Sequence, residues 1–224
     1  MNPIAAEFLT HFTATLTTAD AAWQNARFVV LDTEMTSLDS RVDRLVSIGA
    51  IACVGMELTL DDAFEAYIRI SHNTSAVHIH GITRELAESE GAPEPVVLQR
   101  FLDYLRDGVI VGHHVDDDLT MLELACQRCF DLPKLPNLHV DTMDLAVTLE
   151  QAGLLERLPG DAEPNYSLDG LCQRFGIAPH DRHTAMGDAF LTGQVFLRLL
   201  RRAARGGQCK LEQLMYTPAR EAIE

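Results

Sequence analysis

Four acidic side chains and one histidine are placed where they could share chemistry. Asp32 and Glu34 end the apolar run "FVVLDTEM" at 28–35. Because strand side chains alternate between faces, both carboxylates project to the same side. Two carboxylates held that close repel each other unless a proton or a cation bridges them. The pair is therefore either a cation site or a solvated strand end.

A third acid lies in "VGHHVDDDLTMLELAC", residues 111–126. Helical spacing puts Asp118 on the same face as Leu122, which predicts that its carboxylate points inward and needs a partner. Asp116 and Asp117 suit the first helical turn instead, where acids cap free N–H groups and oppose the helix dipole. Asp118 is thus the candidate of the three.

The last candidates lie in "RHTAMGDAFLTGQVFLRLL", residues 182–200. Asp188 precedes the apolar stripe of Leu191 and Val195 by three residues, so it extends the inner face of a predicted helix. His183 lies five residues earlier, at or just before the first turn. A histidine there could contact the helix end without any chemistry, or it could serve the acids.

Four inward acids from separate segments favour one shared site. Carboxylate oxygens suit Mg²⁺ or Mn²⁺. Two such ions about 3.5–4 Å apart clamp an in-line phosphodiester hydrolysis. A histidine beside them can act as general base toward the attacking water.

The elements that must position these residues alternate along the chain, which predicts an α/β domain with a mixed sheet. Predicted strands cover 27–33, 44–54, 61–70, 108–113 and 138–140. Predicted helices cover 4–25, 83–89, 94–107, 116–130, 142–153, 167–175 and 184–204, with an exposed loop at 157–165. We expect an N-terminal helical extension over 1–26, one domain over 27–205 and a tail over 206–224.

Composition limits the class of protein. The 224 residues are 47% hydrophobic and 23% charged, which is typical of a globular domain with a sizeable core. The net charge of −15 argues against coating nucleic acid with the whole surface, but it allows a local pocket for one strand end. Five cysteines without a secreted-type framework, no basic leader and no membrane-length apolar run predict a cytoplasmic protein.

The assembled motifs resemble the DEDDh exonucleases, the DnaQ-like group that includes the proofreading subunit of bacterial DNA polymerase III and ribonuclease T. The resemblance spans about residues 27 to 200 in family order. It rests on these segments: "FVVLDTEMTSLD", "HGIT" (80–83), "VGHHVDDDLTML", "DTMDLA" (141–146), "SLDGLCQRFGI" (167–177) and "RHTAMGDA" (182–189).

The resemblance implies an RNase H-like fold, with a mixed five-stranded central sheet flanked by helices, and two Mg²⁺ or Mn²⁺ ions. It implies that Asp32 touches both ions. Glu34 and Asp188 would complete the ligand set, with Asp118 acting partly through water. His183 would deprotonate the nucleophilic water, and a nucleoside 5′-monophosphate would leave from the 3′ end.

The resemblance also suggests where the nucleotide binds. The backbone of Met35 and Thr36 could meet the 3′-terminal nucleotide. His80 and Ile82, in "HGIT", could line its pocket, although plain packing explains them nearly as well. His114, where the family usually has Asn, is a candidate polar contact to substrate.

Two further positions depart from the family pattern. Ser37 stands where the family often has Gly, so this turn is expected to differ in shape. Asp117 stands where the residue before the second-motif acid is commonly aromatic. Neither departure removes an expected metal ligand.

The expected substrate is a single-stranded or frayed 3′ end, with DNA favoured over RNA because "HGIT" favours the polymerase-proofreading branch. A DNA polymerase is one candidate partner. The alternatives are a non-catalytic polymerase-associated module on the same fold and an exoribonuclease acting on RNA or short oligonucleotides, since no residue pattern decides about the 2′-hydroxyl.

Basic residues cluster on and after the last predicted helix. They either complement a helix C-terminus or form a local track for phosphates. The cluster consists of Arg198, Arg201, Arg202, Arg205 and Lys210.

Overall fold

The computed structural model describes residues 2–14, 21–36, 44–73, 75–157 and 164–215. Within them, five strands form one mixed sheet in the order β3-β2-β1-β4-β5. The central strand β1 pairs antiparallel with β2 and parallel with β4. This confirms the predicted sheet. The strands are β1 (Phe28–Met35), β2 (Leu45–Val54), β3 (Glu57–Tyr67), β4 (Val109–Gly112) and β5 (His139–Asp141).

Helices cover both faces of this sheet, as the α/β prediction requires. The long ones are α1 (Pro3–Ala14), α4 (Glu94–Leu105), α5 (Val115–Phe130), α6 (Thr142–Gln151) and α8 (Ala185–Arg205). The shorter ones are α2 (Val77–His80), α3 (Arg84–Ser89), α7 (Leu168–Phe175) and α9 (Leu211–Leu214). The sequence did not predict α2 or α9, because four residues are too few to show a helical period. Among the described helices, none is long and apolar enough to cross a bilayer.

Strand alternation divides the core into two clusters. Phe28 and Val30 pack with α6, α7 and α8 on one face of the sheet. Val29 and Leu31 pack with α1, α4 and α5 on the other face. The same alternation decides which helix each polar residue at the end of β1 meets.

Two strands differ from the prediction by two residues or more at an end. β1 continues to Met35, because Glu34 still pairs with Ser47 of β2 before the register shifts. β3 covers 57–67 rather than 61–70, because it pairs with β2 directly after the tight turn at 55–56. Most of β3 is exposed at the sheet edge, so its sequence there carries little apolar alternation.

The single helix predicted over 4–25 is wrong. Helix α1 covers Pro3–Ala14, residues 15–20 lie outside the described residues, and a short 3-10 helix covers Trp23–Asn25. Trp23 is buried in the core, and its indole Nε1 donates to the carbonyl of Gln208 at 2.9 Å. A buried indole needs such an acceptor, and the acceptor lies 185 residues away in sequence. Local periodicity therefore could not predict the 3-10 helix at Trp23.

Candidate metal-binding site

Three carboxylates converge between β1 and the first turn of α8. Ligand oxygens of Asp32, Glu34 and Asp188 all lie within 4.8 Å of one another. The close approach of α8 to the sheet depends on Gly49 of β2, which pairs with Asp32 of β1. A Cβ on Gly49 would lie 2.4 Å from the backbone of Ala185, so a larger residue would push the helix away. The structure thus brings together three of the predicted ligands.

Asp118 reaches this region from the opposite face of the sheet. Its Oδ1 accepts hydrogen bonds from the backbone N–H of Thr33 at 2.8 Å and from Thr33 Oγ1 at 2.7 Å. Thr33 points toward α5, whereas its neighbours Asp32 and Glu34 point toward α8. Asp118 is therefore buried beside the three-acid group and not within it. Its role as a fourth ligand stays a prediction.

Burial and mutual repulsion raise the pKa values of these acids. Burial raises the pKa of Asp32 well above its ordinary range, and the charges of Asp118 and Asp188 raise it further. Burial, reinforced by the same two charges, raises the pKa of Glu34 to about 8. Burial also raises the pKa of Asp118 to about 7, although the Thr33 hydrogen bonds oppose the shift. At neutral pH this cluster gains from a nearby cation.

The sequence analysis did not identify Arg182 as part of this site. Its Nε donates to Asp169 Oδ1 at 2.7 Å and its Nη2 to Asp169 Oδ2 at 3.4 Å. Its Nη1 makes an ion pair with Asp188 Oδ1. The Arg182 charge lowers the pKa values of Asp32 and Glu34, against the larger effect of burial. A sequence signal existed, since this arginine directly precedes His183 in the last motif.

His183 lies in a tight loop before α8. Its φ of 62° and that of Asp181, 52°, are both left-handed. Thr184 caps α8 by accepting from the N–H of Gly187 at 3.1 Å, and its Oγ1 donates to the Asp181 carbonyl at 2.7 Å. The His183 N–H donates to Asp188 Oδ2 at 3.3 Å, and the His183 residue is exposed. The loop therefore ties His183 to a candidate ligand and leaves it open to solvent.

The predicted nucleotide contacts lie close to the end of β1. His80 is buried, and its Nδ1 accepts from the N–H of Ile82 at 3.0 Å. Burial lowers the pKa of His80, and the Met35 backbone beside the ring opposes that shift. The Thr36 hydroxyl accepts from the Arg44 N–H at 3.0 Å. Met35 and His80 are thus neighbours.

Ile82 and His114 have structural roles of their own. Ile82 is buried in a small cluster with Val46 and Ala87, so packing accounts for it. His114 is exposed and forms the N-cap of α5 with a left-handed φ of 58°. The Ser37 departure lies outside the described residues.

Two arginines of the basic cluster make hydrogen bonds within α8. Arg198 Nη1 donates to the Gln194 carbonyl at 3.0 Å, and Arg202 Nη1 donates to the Arg198 carbonyl at 3.0 Å. Arg202 also lies over the ring of Phe175 at 4.7 Å. These contacts favour the helix-end interpretation for Arg202, which lies in the last turn of α8.

The donor set fits a divalent cation. It consists of hard oxygen ligands, as Mg²⁺ and Mn²⁺ prefer. Asp188 Oδ1 is buried, and among the described residues it has no partner in hydrogen-bond geometry. This oxygen forms an ion pair with Arg182, and because a carboxylate oxygen carries two lone pairs, it keeps capacity for a metal.

Comparison with known proteins identifies the family of the chain. Residues 29–196 match the family model described as "Exonuclease". Because this match covers most of the chain, the chain belongs to that exonuclease family, in agreement with the DEDDh, DnaQ-like resemblance. Family membership supports a nuclease role.

Named relatives are consistent with that class. The chain is 33% identical over 198 residues to a "DNA polymerase III PolC-type" of Thermotoga maritima, covering 87% of this chain and 13% of that protein. It is 32% identical over 190 residues to a "DNA polymerase III subunit epsilon-like protein" of Rhodobacter capsulatus, covering 81% of this chain and 25% of that protein. The chain therefore spans a quarter or less of these relatives.

The fold has solved counterparts. E. coli Exonuclease I in complex with a dT13 oligonucleotide superposes with a TM-score of 0.68 at 20% identity, over 81% of this chain and 42% of that one. The likeness confirms the RNase H-like fold.

Proposed function

We propose that this chain is a divalent-metal-dependent 3′→5′ exonuclease that releases nucleoside 5′-monophosphates from single-stranded or frayed DNA. One observation carries the proposal: in a chain of the exonuclease family, three carboxylates from β1 and α8 converge within 4.8 Å. Crowded, partly buried carboxylates destabilise a fold unless a proton or a cation neutralises them, so the arrangement supports a cation site.

The residues have distinct roles in this proposal. Asp32, Glu34 and Asp188 would hold two Mg²⁺ or Mn²⁺ ions, with Asp118 acting partly through water. The bound ions would supply an activated water and stabilise charge on the leaving oxygen. His183 takes the proton of that water, which suits a histidine open to solvent and tied to Asp188.

The 3′-terminal nucleotide rests on the Met35–Thr36 backbone, beside His80 and near the first turn of α5 with His114. The DNA-bound Exonuclease I supports DNA as the polymer, and the polymerase III relatives support a DNA polymerase as partner. Five free cysteines suit a reducing cytoplasm.

The test uses 5′-labelled single-stranded DNA and RNA of one sequence, incubated with Mn²⁺ or Mg²⁺. We expect a ladder that shortens from the 3′ end of DNA, faster than for RNA, and no ladder with Asp32→Asn. Asp103→Asn is the matched control, since it makes the same change at an exposed acid on α4, outside the acid cluster and the proposed nucleotide contacts. Faster loss of RNA would favour the exoribonuclease alternative. Binding of DNA without hydrolysis by the wild type would favour the non-catalytic module.

A further inference from the structure

Arg182 divides its guanidinium between two acids that lie in different elements. Two of its nitrogens form a fork with both carboxylate oxygens of Asp169, in the first turn of α7. Paired parallel contacts of this kind fix the plane of a guanidinium. With that plane fixed, Nη1 is directed at Asp188 Oδ1.

The Asp188 carboxylate is also the one that α8 contributes to the three-acid group. The oxygen facing Arg182 is buried and makes no hydrogen bond among the described residues. A divalent cation bound between Asp188 and β1 would draw on the same carboxylate charge. The guanidinium and the cation therefore compete for Asp188.

We propose that Arg182, anchored on Asp169, is a built-in competitor that sets how tightly the acids of β1 and α8 hold a divalent cation. It partly neutralises the cluster when no ion is bound, and an incoming ion must displace its contact with Asp188. The proposal rests on the metal-dependent function above. Arg182 is thus a positioning residue that acts through Asp188.

A different account is that Arg182 is only a clamp that holds the His183 loop against α7. Asp169 is 63% exposed and Arg182 22% exposed at the side chain, and their fork is consistent with a tie of that kind. The two accounts predict opposite changes in metal affinity when Arg182 is replaced. A clamp whose loss loosens the loop would weaken metal binding, whereas loss of a competitor would strengthen it.

The experiment is calorimetric titration of Mn²⁺ into the full chain after removal of metal with EDTA, with melting temperatures measured alongside. For Arg182→Gln we expect Mn²⁺ affinity to rise roughly three- to tenfold, as expected for one lost, partly exposed ion pair. We also expect a lower melting temperature in EDTA and a larger rise on adding Mn²⁺. For Asp169→Asn we expect affinity equal to or below that of the wild type, because the freed guanidinium can follow Asp188.

Arg201→Gln is the matched control, since Arg201 is exposed on α8 and its loss removes the same charge far from the acids. Its affinity should stay within about twofold of the wild type, because exposed charges beyond a Debye length are largely screened. Unchanged or weaker Mn²⁺ binding by Arg182→Gln, or a gain no larger than that of Arg201→Gln, overturns the proposal.

Arg182→Met is a second variant in case Arg182→Gln folds poorly, because methionine keeps the aliphatic part of the side chain. If both Arg182 variants unfold in EDTA, recovery of the native circular dichroism spectrum in Mn²⁺ supports the proposal, and failure to recover overturns it. Wild-type protein that binds Mn²⁺ through Asp32 but leaves DNA intact would refute the proposed nuclease function and not this inference.

Discussion

The acidic side chains on the two faces of β1 lie in different environments. On the α5 face, Asp118 is buried alone and receives two hydrogen bonds from Thr33. On the α8 face, Asp32 and Glu34 crowd against Asp188, with Arg182 as the nearby cation. The first environment gives a carboxylate two neutral hydrogen-bond donors, and the second crowds carboxylates that need a proton or a cation between them. We infer that metal ligation centres on the α8 face.

The largest expected effect is on catalysis. Asp32→Asn should lower DNA hydrolysis by about 10³-fold or more, since it removes a charge that no neighbour on the α8 face can replace. The measurement is the single-turnover rate on 5′-labelled DNA in Mn²⁺. Asp103→Asn, at an exposed acid on α4, should stay near the wild-type rate. If Asp118→Asn lowered the rate far more than Asp32→Asn, metal ligation would centre on the α5 face instead.

The next effect is a pH dependence of stability. The pKa of Glu34 is raised to about 8 and that of Asp118 to about 7, so the native state keeps protons that the unfolded chain releases near pH 4–5. Stability should therefore fall as pH rises from about 5 to 8 and then level off. Melting temperatures in EDTA across this range test this, and we expect a fall of several degrees.

Mn²⁺ should flatten that profile, because a bound cation favours the ionised carboxylates. Glu34→Gln should also lower the slope throughout pH 5 to 8, because the proton that Glu34 keeps over this range is then absent. A melting temperature that rises steadily from pH 5 to 8 in EDTA would contradict the raised pKa values.

A smaller effect isolates the α5 face. Thr33→Val keeps the shape of the side chain but removes the Oγ1 donor to Asp118, and it should cost about 1–2 kcal/mol in free energy of unfolding. Thr192→Val is the matched control, because the Thr192 hydroxyl is buried without a hydrogen bond among the described residues. It should be neutral or stabilising. Urea titrations at pH 8 compare them, and equal costs would mean that the Thr33 hydroxyl does not stabilise Asp118.

The smallest effect concerns the start of α5. His114 has a left-handed φ of 58°, which Asn adopts more readily than most residues, and Asn is also a good N-cap. His114→Asn should raise the free energy of unfolding by about 0.5 kcal/mol. The same urea titration measures it. A loss of stability would show that the imidazole has a role that an Asn cannot fill.

Local periodicity and motif order determined much of this protein. Alternation along 28–35 put Asp32 and Glu34 on one side, and helical spacing made Asp118 and Asp188 the inward acids. These inferences succeeded because the direction of a side chain within one element is a property of neighbouring residues. The same logic failed at Trp23, whose partner Gln208 is remote in sequence.

Contacts between elements were decided only by the tertiary structure. The fork of Arg182 on Asp169 joins residues 13 positions apart, with the rest of α7 and part of the following loop between them, and no period of strand or helix relates them. The assignment of Asp118 to the Thr33 face likewise depends on α5 packing on the opposite side of the sheet from α8. Sequence alone specified which acids point inward, because that depends on backbone geometry. Which charges then meet depends on how the helices pack.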